Sequence, residues 1–114
     1  MIRKSTDMEQ VRAEGMRGGD GLITAVHHLN KDEVPHGRLF SSFTVNKGCS
    51  IGYHDHVGET EYYLIQSGKG IVTEADGEKE VEAGDLVITG GGAGHSIRNE
   101  WDEPLVFVAV ILFD

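Results

Sequence analysis

Apolar and polar residues alternate in short runs along most of the chain, and glycine-rich turns separate these runs. Alternation of this kind is typical of β-strands with one buried face, and no helical period follows residue 18. The pattern predicts nine strands: Leu22–Leu29, Arg38–Asn46, Ser50–His56, Glu61–Gln66, Gly70–Ala75, Lys79–Glu82, Leu86–Thr89, His95–Asn99 and Leu105–Phe113. Many short strands with glycine turns in a small domain indicate an all-β sandwich or barrel.

The two ends of the chain carry different patterns. Residues 4–17 contain too few apolar positions for an amphipathic stripe, and we expect one or two helical turns there. They belong to an N-terminal extension over residues 1–20, which precedes a barrel core over residues 38–113. The run Leu105–Phe113 is apolar on both faces, which predicts either a central buried strand or a contact between subunits.

Composition and charge narrow the classes of partner. The 114 residues fit one domain, and 10 Lys and Arg against 19 Asp and Glu give a net charge of −9. This acidic balance argues against binding to a nucleic-acid backbone or an anionic membrane. Residues 1–14 lack the apolar core of a signal peptide, no apolar run is long enough to span a bilayer as a helix, and Cys49 is the single cysteine. We therefore expect a cytoplasmic protein without intrachain disulfides.

Four side chains carry the pattern of a metal site. His54 and His56 alternate along a predicted strand, so they point to the same face about 7 Å apart. Glu61 follows a turn at Val57-Gly58, on a strand expected to lie antiparallel and adjacent to the first. His95 directly follows a glycine-rich loop, and its strand is expected to lie across the barrel. Three imidazoles and one carboxylate suit Mn, Fe, Co, Ni, Cu or Zn as divalent ions, and the donor types alone do not choose among these metals.

The remaining histidines and the cysteine have simpler interpretations. His27, His28 and His36 carry no comparable pattern of neighbouring ligands, so we interpret them as structural or solvent-facing. No adjacent basic partner that would activate a thiolate is evident for Cys49, and we interpret it as a small buried residue. Neither set is assigned any chemistry.

Two segments resemble the two motifs of the cupin family. Residues 48–68, GCSIGYHDHVGETEYYLIQSG, match every specified position of the first motif: Gly48, His54, His56, Glu61 and Gly68. Residues 84–99, GDLVITGGGAGHSIRN, match the second motif at four positions: Gly84, Gly92, His95 and Asn99. Gly90 stands where the second motif has proline. The resemblance is to small single-domain bacterial cupins of the oxalate-decarboxylase-like group.

The resemblance implies a double-stranded β-helix, which is the jelly-roll barrel of cupins, with a divalent ion near its open mouth. It implies four metal ligands: His54, His56, Glu61 and His95. The motif glycines are expected at turns with positive φ or at close approaches. Glu59 shares the predicted face of Glu61 and is its rival, but the motif spacing favours Glu61. Glu59 is then a rim residue and the one candidate for a catalytic role.

Three further residues are pocket candidates. Tyr63 shares the face of Glu61 on the predicted strand, and Arg38 and Arg98 are the nearest arginines by sequence. Oxalate decarboxylases of the family carry a substrate-binding arginine three residues before the first ligand histidine, where this chain has Ile51. By alternation along the strand, Ile51 is expected to face away from the ligands.

The resemblance implies a metal-dependent cupin that acts on or binds a small polar molecule such as a carboxylate. One alternative is an enzyme, a decarboxylase or dioxygenase with an open coordination position. A second is a non-catalytic module that binds a metal and a small ligand, which the scarcity of acid–base residues favours. A third is a sugar-isomerase-like cupin, although no basic cluster for a phosphate is evident. The resemblance also implies a homodimer, with residues 21–29 as the candidate edge strand.

Overall fold

The computed structural model describes all 114 residues. It contains ten β-strands, numbered in chain order: β1 Glu9–Glu14, β2 Leu22–Leu29, β3 Gly37–Val45, β4 Ser50–Asp55, β5 Glu59–Ser67, β6 Lys69–Glu74, β7 Gly77–Glu82, β8 Leu86–Gly90, β9 Gly94–Arg98 and β10 Leu105–Phe113. Three short 3-10 turns lie between or before them: Ser5–Asp7, Met16–Gly18 and Lys31–Glu33. None of these helical segments has the length and apolar character required to cross a membrane.

The strands form two antiparallel sheets. The larger sheet has six strands in the order β1-β2-β3-β10-β5-β8, and the smaller has four in the order β4-β9-β6-β7. The chain crosses repeatedly between the two sheets, which is the connectivity of a double-stranded β-helix and confirms the predicted fold class. All nine predicted strands are present, and no strand end differs from its predicted position by more than two residues.

A tenth strand, β1, replaces most of the helical turns predicted for residues 4–17. It pairs antiparallel with β2 along its whole length, and 3-10 turns occupy only Ser5–Asp7 and Met16–Gly18. Val11 and Ala13 are the only apolar residues of β1. Hydrogen bonds to β2 therefore define this strand, and a pairing between distant segments leaves little trace in the local sequence.

The prediction that residues 21–29 form an edge strand is wrong. β2 lies between β1 and β3, and it pairs with both of them. The outermost strands of the larger sheet are β1 and β8. A strand from a second subunit would therefore find no free backbone groups along β2.

Side chains from both sheets form one core of 13 buried residues. Phe107 is the largest fully buried side chain, and its ring lies 5.6 Å from the Phe43 ring and 4.3 Å from the Tyr63 ring, measured between centroids. Its strand, β10, lies between β3 and β5, and burial alternates along it. Of the two alternatives for Leu105–Phe113, the central buried strand is therefore confirmed.

The four motif glycines lie at turns with positive φ, which is 81° at Gly48, 78° at Gly68, 95° at Gly84 and 87° at Gly92. Gly90, at the position of the motif proline, has a different role and ends β8. A Cβ atom there would overlap the hydroxyl oxygen of Thr60 on β5. The close approach of β5 and β8 at this point therefore requires glycine.

Candidate metal centre

Four donor side chains from both sheets meet inside the barrel. His54 on β4 and His95 on β9 are direct partners across these two antiparallel strands. His56 follows the end of β4, and its backbone N–H donates to the carbonyl of Ala93 in the loop before β9 (2.9 Å). Glu61 reaches the same point from β5 of the larger sheet. We call these four residues the four-donor cluster.

The strands assemble the cluster differently from the arrangement expected from the sequence. His95 lies on the strand next to that of His54, not across the barrel. Glu61 lies in the opposite sheet rather than on a strand adjacent to β4. The order of strands in a sheet depends on long-range pairing, which residue spacing does not encode. The residues brought together are nevertheless the predicted four, and their donor atoms all lie within 4.8 Å of one another.

The donor atoms converge closely. His95 Nε2 lies 3.2 Å from His56 Nε2, 3.2 Å from His54 Nε2 and 2.9 Å from Glu61 Oε1. Glu61 Oε1 also lies 2.9 Å from His56 Nε2 and 3.7 Å from His54 Nε2. Because His56, Glu61 and His95 are at most 4% exposed, bulk water does not screen these groups from one another.

The second ring nitrogen of each histidine has its own partner outside the cluster. The Nδ1 atom of His54 donates to the Gly52 carbonyl (2.7 Å) and that of His56 donates to Glu59 Oε2 (2.6 Å). The Nδ1 atom of His95 forms a hydrogen bond with Thr89 Oγ1 (2.7 Å). When Nδ1 carries the proton of a neutral ring, the lone pair of Nε2 is available to a cation. Three such imidazoles and one carboxylate directed at one point form an arrangement that a cation would stabilise.

The spacing of the donors fits a divalent transition metal. Metal–ligand distances of about 2.0–2.1 Å, with angles of about 90–110° between neighbouring ligands, place donor atoms about 2.8–3.4 Å apart. The contacts of 3.2 Å and 2.9 Å around His95 Nε2 lie in this range. The residues of the four-donor cluster would hold the ion, and a divalent ion supplies Lewis acidity toward an oxygen ligand.

Glu59 lies behind His56 rather than among the donors. Its Oε2 accepts the Nδ1 proton of His56, and its two oxygens accept a pair of hydrogen bonds from Arg38 Nε and Nη2, both 2.7 Å long. The buried carboxylate therefore joins a guanidinium to a ligand imidazole. Such a partner fixes the tautomer and orientation of the ring and raises its basicity as a ligand.

Both glutamates are held in the ionised form. The hydrogen bond from Arg38 is the main reason that the pKa of Glu59 falls to about 2. Burial opposes the ionisation of Glu61, but its contacts with His54 and His95 outweigh burial and lower the pKa of Glu61 to about 2. Glu61 is thus the single negative charge of the four-donor cluster, so a divalent ion bound there keeps a net positive charge toward an anionic ligand.

We expect Glu59→Gln to weaken metal binding by about 10- to 100-fold, because it removes the charge that orients His56 and leaves Arg38 without its anionic partner. Competition with a metallochromic chelator measures this change. Glu100→Gln is the matched control, since Glu100 is exposed and pairs only with Arg98. Equal affinities for both variants would show that Glu59 does not support the ligand.

A cavity of about 280 Å³ adjoins the four-donor cluster. Tyr63 and Arg38 line this cavity. The Tyr63 ring stacks on the His95 ring with 4.8 Å between centroids, and burial, assisted by the charge of Glu61, raises the pKa of Tyr63. Arg98 does not line the cavity, because it forms ion pairs with two glutamates at the surface.

Ile51 also lines the cavity, contrary to the prediction from alternation. The register of β4 against β9 shifts between Ile51 and His54. An irregularity of this kind changes which side chains share a face, so Ile51 and His54 both point inward while Tyr53 is exposed. The oxalate decarboxylases of the family have an arginine at the position of Ile51, whereas in this chain Ile51 forms part of an aliphatic cavity wall.

Three polar or flexible residues line the cavity without having been candidates from the sequence: Met16, Arg17 and His27. Met16 and Arg17 lie on the turn between β1 and β2, which the sequence assigned to an extension outside the barrel. His27 pairs through Nδ1 with the Ser41 hydroxyl (2.5 Å) and also faces the cavity. The glycine-rich string around Arg17 predicts a turn, but it does not reveal that the turn lies at the cavity.

Comparison with known proteins places this site in a family. The cupin domain family matches residues 41–111. The chain is 35% identical over 113 residues to the oxalate-binding protein of Thermotoga maritima, covering 98% of this chain and 93% of that protein. A crystal structure described as a predicted oxalate decarboxylase of Thermotoga maritima matches with a TM-score of 0.93 and 35% identity, over 100% of both chains.

More distant structures share the fold alone. A cupin-superfamily sugar phosphate isomerase from Silicibacter pomeroyi matches with a TM-score of 0.80 and 14% identity, covering 100% of this chain and 76% of that chain. The family match covers more than half of the sequence, and the relative from Thermotoga maritima spans nearly all of it. With its jelly-roll barrel and its three-histidine, one-glutamate cluster, this chain belongs to the cupin family.

Proposed function

We propose that the protein binds a small dicarboxylate such as oxalate through a divalent ion held by the four-donor cluster. The observation that carries the proposal is the convergence of His54, His56, Glu61 and His95 on one point beside a cavity of about 280 Å³. A cavity of this size has room for a small ligand such as oxalate beside the cluster. The oxalate-binding relative at 35% identity supports the same class of ligand.

Binding without turnover is the form of the proposal that the side chains favour. Decarboxylation needs a group that delivers a proton to the carbon atom left behind. Glu59, the candidate for such a role, has both oxygens engaged by Arg38 and His56. Glu61 is the only carboxylate that lines the cavity, and it belongs to the four-donor cluster.

Calorimetric titration of oxalate into metal-free protein, and into protein loaded with Mn²⁺, Co²⁺, Ni²⁺ or Zn²⁺, tests this proposal. We expect oxalate binding with at least one of these ions and none without metal. The same samples are assayed for release of CO₂ and formate, and we expect neither. Absence of binding with every ion would contradict the proposed function. Release of CO₂ would show that the protein is a decarboxylase and not a binding module.

We further propose that two copies pair through the outer face of the larger sheet. The outward side chains of β3, β10, β5 and β8 carry no charge: Phe40, Ser42, Thr44, Val106, Val108, Val110, Leu112, Thr60, Tyr62, Leu64, Gln66, Leu86 and Ile88. Leu64, Leu86 and Ile88 are 46%, 53% and 58% exposed. In a chain of net charge −9, an uncharged apolar face lets an identical copy approach without local repulsion.

Substitution of Ile88 by lysine is expected to convert a dimer into a monomer, because it places a charge in an otherwise uncharged contact. Size-exclusion chromatography with light scattering at micromolar concentration measures the mass. Ile2→Lys is the control, since it also replaces an exposed isoleucine but lies outside the outer face. A monomeric parent protein, or a dimer that survives Ile88→Lys, would rule out this contact.

A cytoplasmic location is also part of this proposal. The fold contains no disulfide and its one cysteine, Cys49, is free, which suits a reducing compartment. Cell fractionation followed by immunodetection tests it, and recovery of the protein outside the cytoplasmic fraction would contradict it.

A further inference from the structure

Arg17 stands at the cavity in a backbone conformation that favours glycine. Its φ of 55° and ψ of 29° are left-handed, which costs an L-residue about 1–2 kcal/mol relative to the right-handed region. Glycine occupies four of the seven positions from 15 to 21, so the turn is otherwise built from the residue that suits it. A non-glycine residue held in this region beside a binding cavity points to a function of its side chain.

The turn that carries Arg17 is fixed to β4, close to the four-donor cluster. The backbone N–H of Asp20 donates to the Ser50 hydroxyl and the Ser50 N–H donates to the Asp20 carbonyl, both at 2.8 Å. A Cβ atom at Gly52 would overlap the carbonyl of Arg17, so the turn packs directly on the backbone of β4. The backbone of Arg17 is therefore held against β4 at the edge of the cavity, and its exposed side chain extends from this fixed point.

Arg17 is also the unpaired arginine of the cavity. Arg38, which lines the same cavity, is neutralised by its two hydrogen bonds to Glu59, whereas Arg17 forms no ion pair within the chain. Arg17 lines the cavity, so its positive charge lies at the cavity wall and is free for an anion.

We propose that one carboxylate of a dicarboxylate ligand lies at the ion of the four-donor cluster and that Arg17 binds the other carboxylate. Arg17 would thereby make the site selective for dicarboxylates over monocarboxylates. This inference rests on the proposed function and adds to it the residue that selects the ligand. A guanidinium holds a carboxylate through two parallel hydrogen bonds, so it recognises the second acid group by geometry as well as by charge. A monocarboxylate binds only the ion of the four-donor cluster and leaves Arg17 without a partner.

The test compares Arg17→Met with Arg12→Met in metal-loaded protein. Arg12 lies on β1, is exposed, forms no ion pair and does not line the cavity, so it controls for the loss of one positive charge. Calorimetry with oxalate, and separately with acetate, is carried out at about 0.15 M salt to screen long-range charge effects. We expect Arg17→Met to weaken the affinity for oxalate by about 10- to 100-fold. The affinity for acetate should change by less than about threefold, and Arg12→Met should change neither affinity by more than that.

A second variant, Arg17→Gly, separates ligand binding from folding. Glycine suits the left-handed backbone, so we expect a thermal unfolding midpoint within about 3 °C of the parent, together with the same loss of oxalate affinity. Elemental analysis is expected to find the parent metal content in both Arg17 variants.

Three results would overturn the inference. These are unchanged oxalate affinity in Arg17→Met, equal losses for oxalate and acetate, or equal losses in Arg17→Met and Arg12→Met. In each case the parent protein still binds oxalate, so the proposed function stands. If the parent protein binds no oxalate with any metal, the proposed function fails and the role of Arg17 fails with it.

Discussion

Replacing His95 by alanine is expected to lower metal affinity by at least about 100-fold, because even the loss of a partner that only orients a ligand costs about 10- to 100-fold. His95 Nε2 is the atom nearest to the other three donors, at 3.2 Å, 3.2 Å and 2.9 Å. Its removal opens one side of the cluster and leaves Glu61 Oε1 with fewer partners. Elemental analysis after dialysis against a chelator measures the effect.

Thermal unfolding gives a second readout of the same variant. An ion that binds only the folded protein stabilises it by about 2.7 kcal/mol at a free concentration 100 times its Kd. We expect this gain in the parent protein and in His36→Ala, which removes an exposed histidine far from the cluster in sequence, but not in His95→Ala. A variant that keeps both its metal and the metal-dependent gain would show that His95 is not a ligand.

Phe107→Ala is expected to cost about 3–5 kcal/mol in the free energy of unfolding, because the deletion leaves a cavity at the best-packed point of the core. Phe107 is fully buried and contacts the rings of Phe43 and Tyr63. Tyr63 stacks in turn on His95, so the same change loosens the wall behind a residue of the four-donor cluster. Urea unfolding of metal-free protein measures the stability without the contribution of the ion.

Phe113→Ala is the matched control for this prediction. Phe113 lies at the end of the same strand and is 53% exposed, so its removal is expected to cost less than about 1 kcal/mol. A loss in Phe107→Ala that is no larger than the loss in Phe113→Ala would mean that the core does not depend on the aromatic packing around Phe107.

The sequence predicts most of this fold because one physical rule governs most of the chain. Most strands with one buried face alternate apolar and polar residues, and the turns between strands carry glycine or polar residues. The rule does not predict β1, since this strand has only Val11 and Ala13 as apolar residues and depends on pairing with β2. It does not predict the order of strands in the sheets either, because the local pattern does not specify which strands pair.

The sequence likewise predicts one part of the candidate site and not the other. The spacing of His54, His56, Glu61 and His95 predicts the cluster, because the types of these residues and their spacing are features of the sequence itself. The inward position of Ile51 depends on a shift of register, and the position of Arg17 depends on how a glycine-rich turn packs against β4. Both are consequences of tertiary contacts, so no pattern within the strand or turn itself reveals them.

We propose above all that four side chains hold one divalent ion. Anomalous diffraction from crystals grown with Mn²⁺ or Zn²⁺, recorded on both sides of the metal absorption edge, tests this most directly. We expect one dominant anomalous peak, about 2.0–2.3 Å from Nε2 of His54, His56 and His95 and from a carboxylate oxygen of Glu61. A peak at another set of residues, or no peak at these four donors in excess metal, would contradict it.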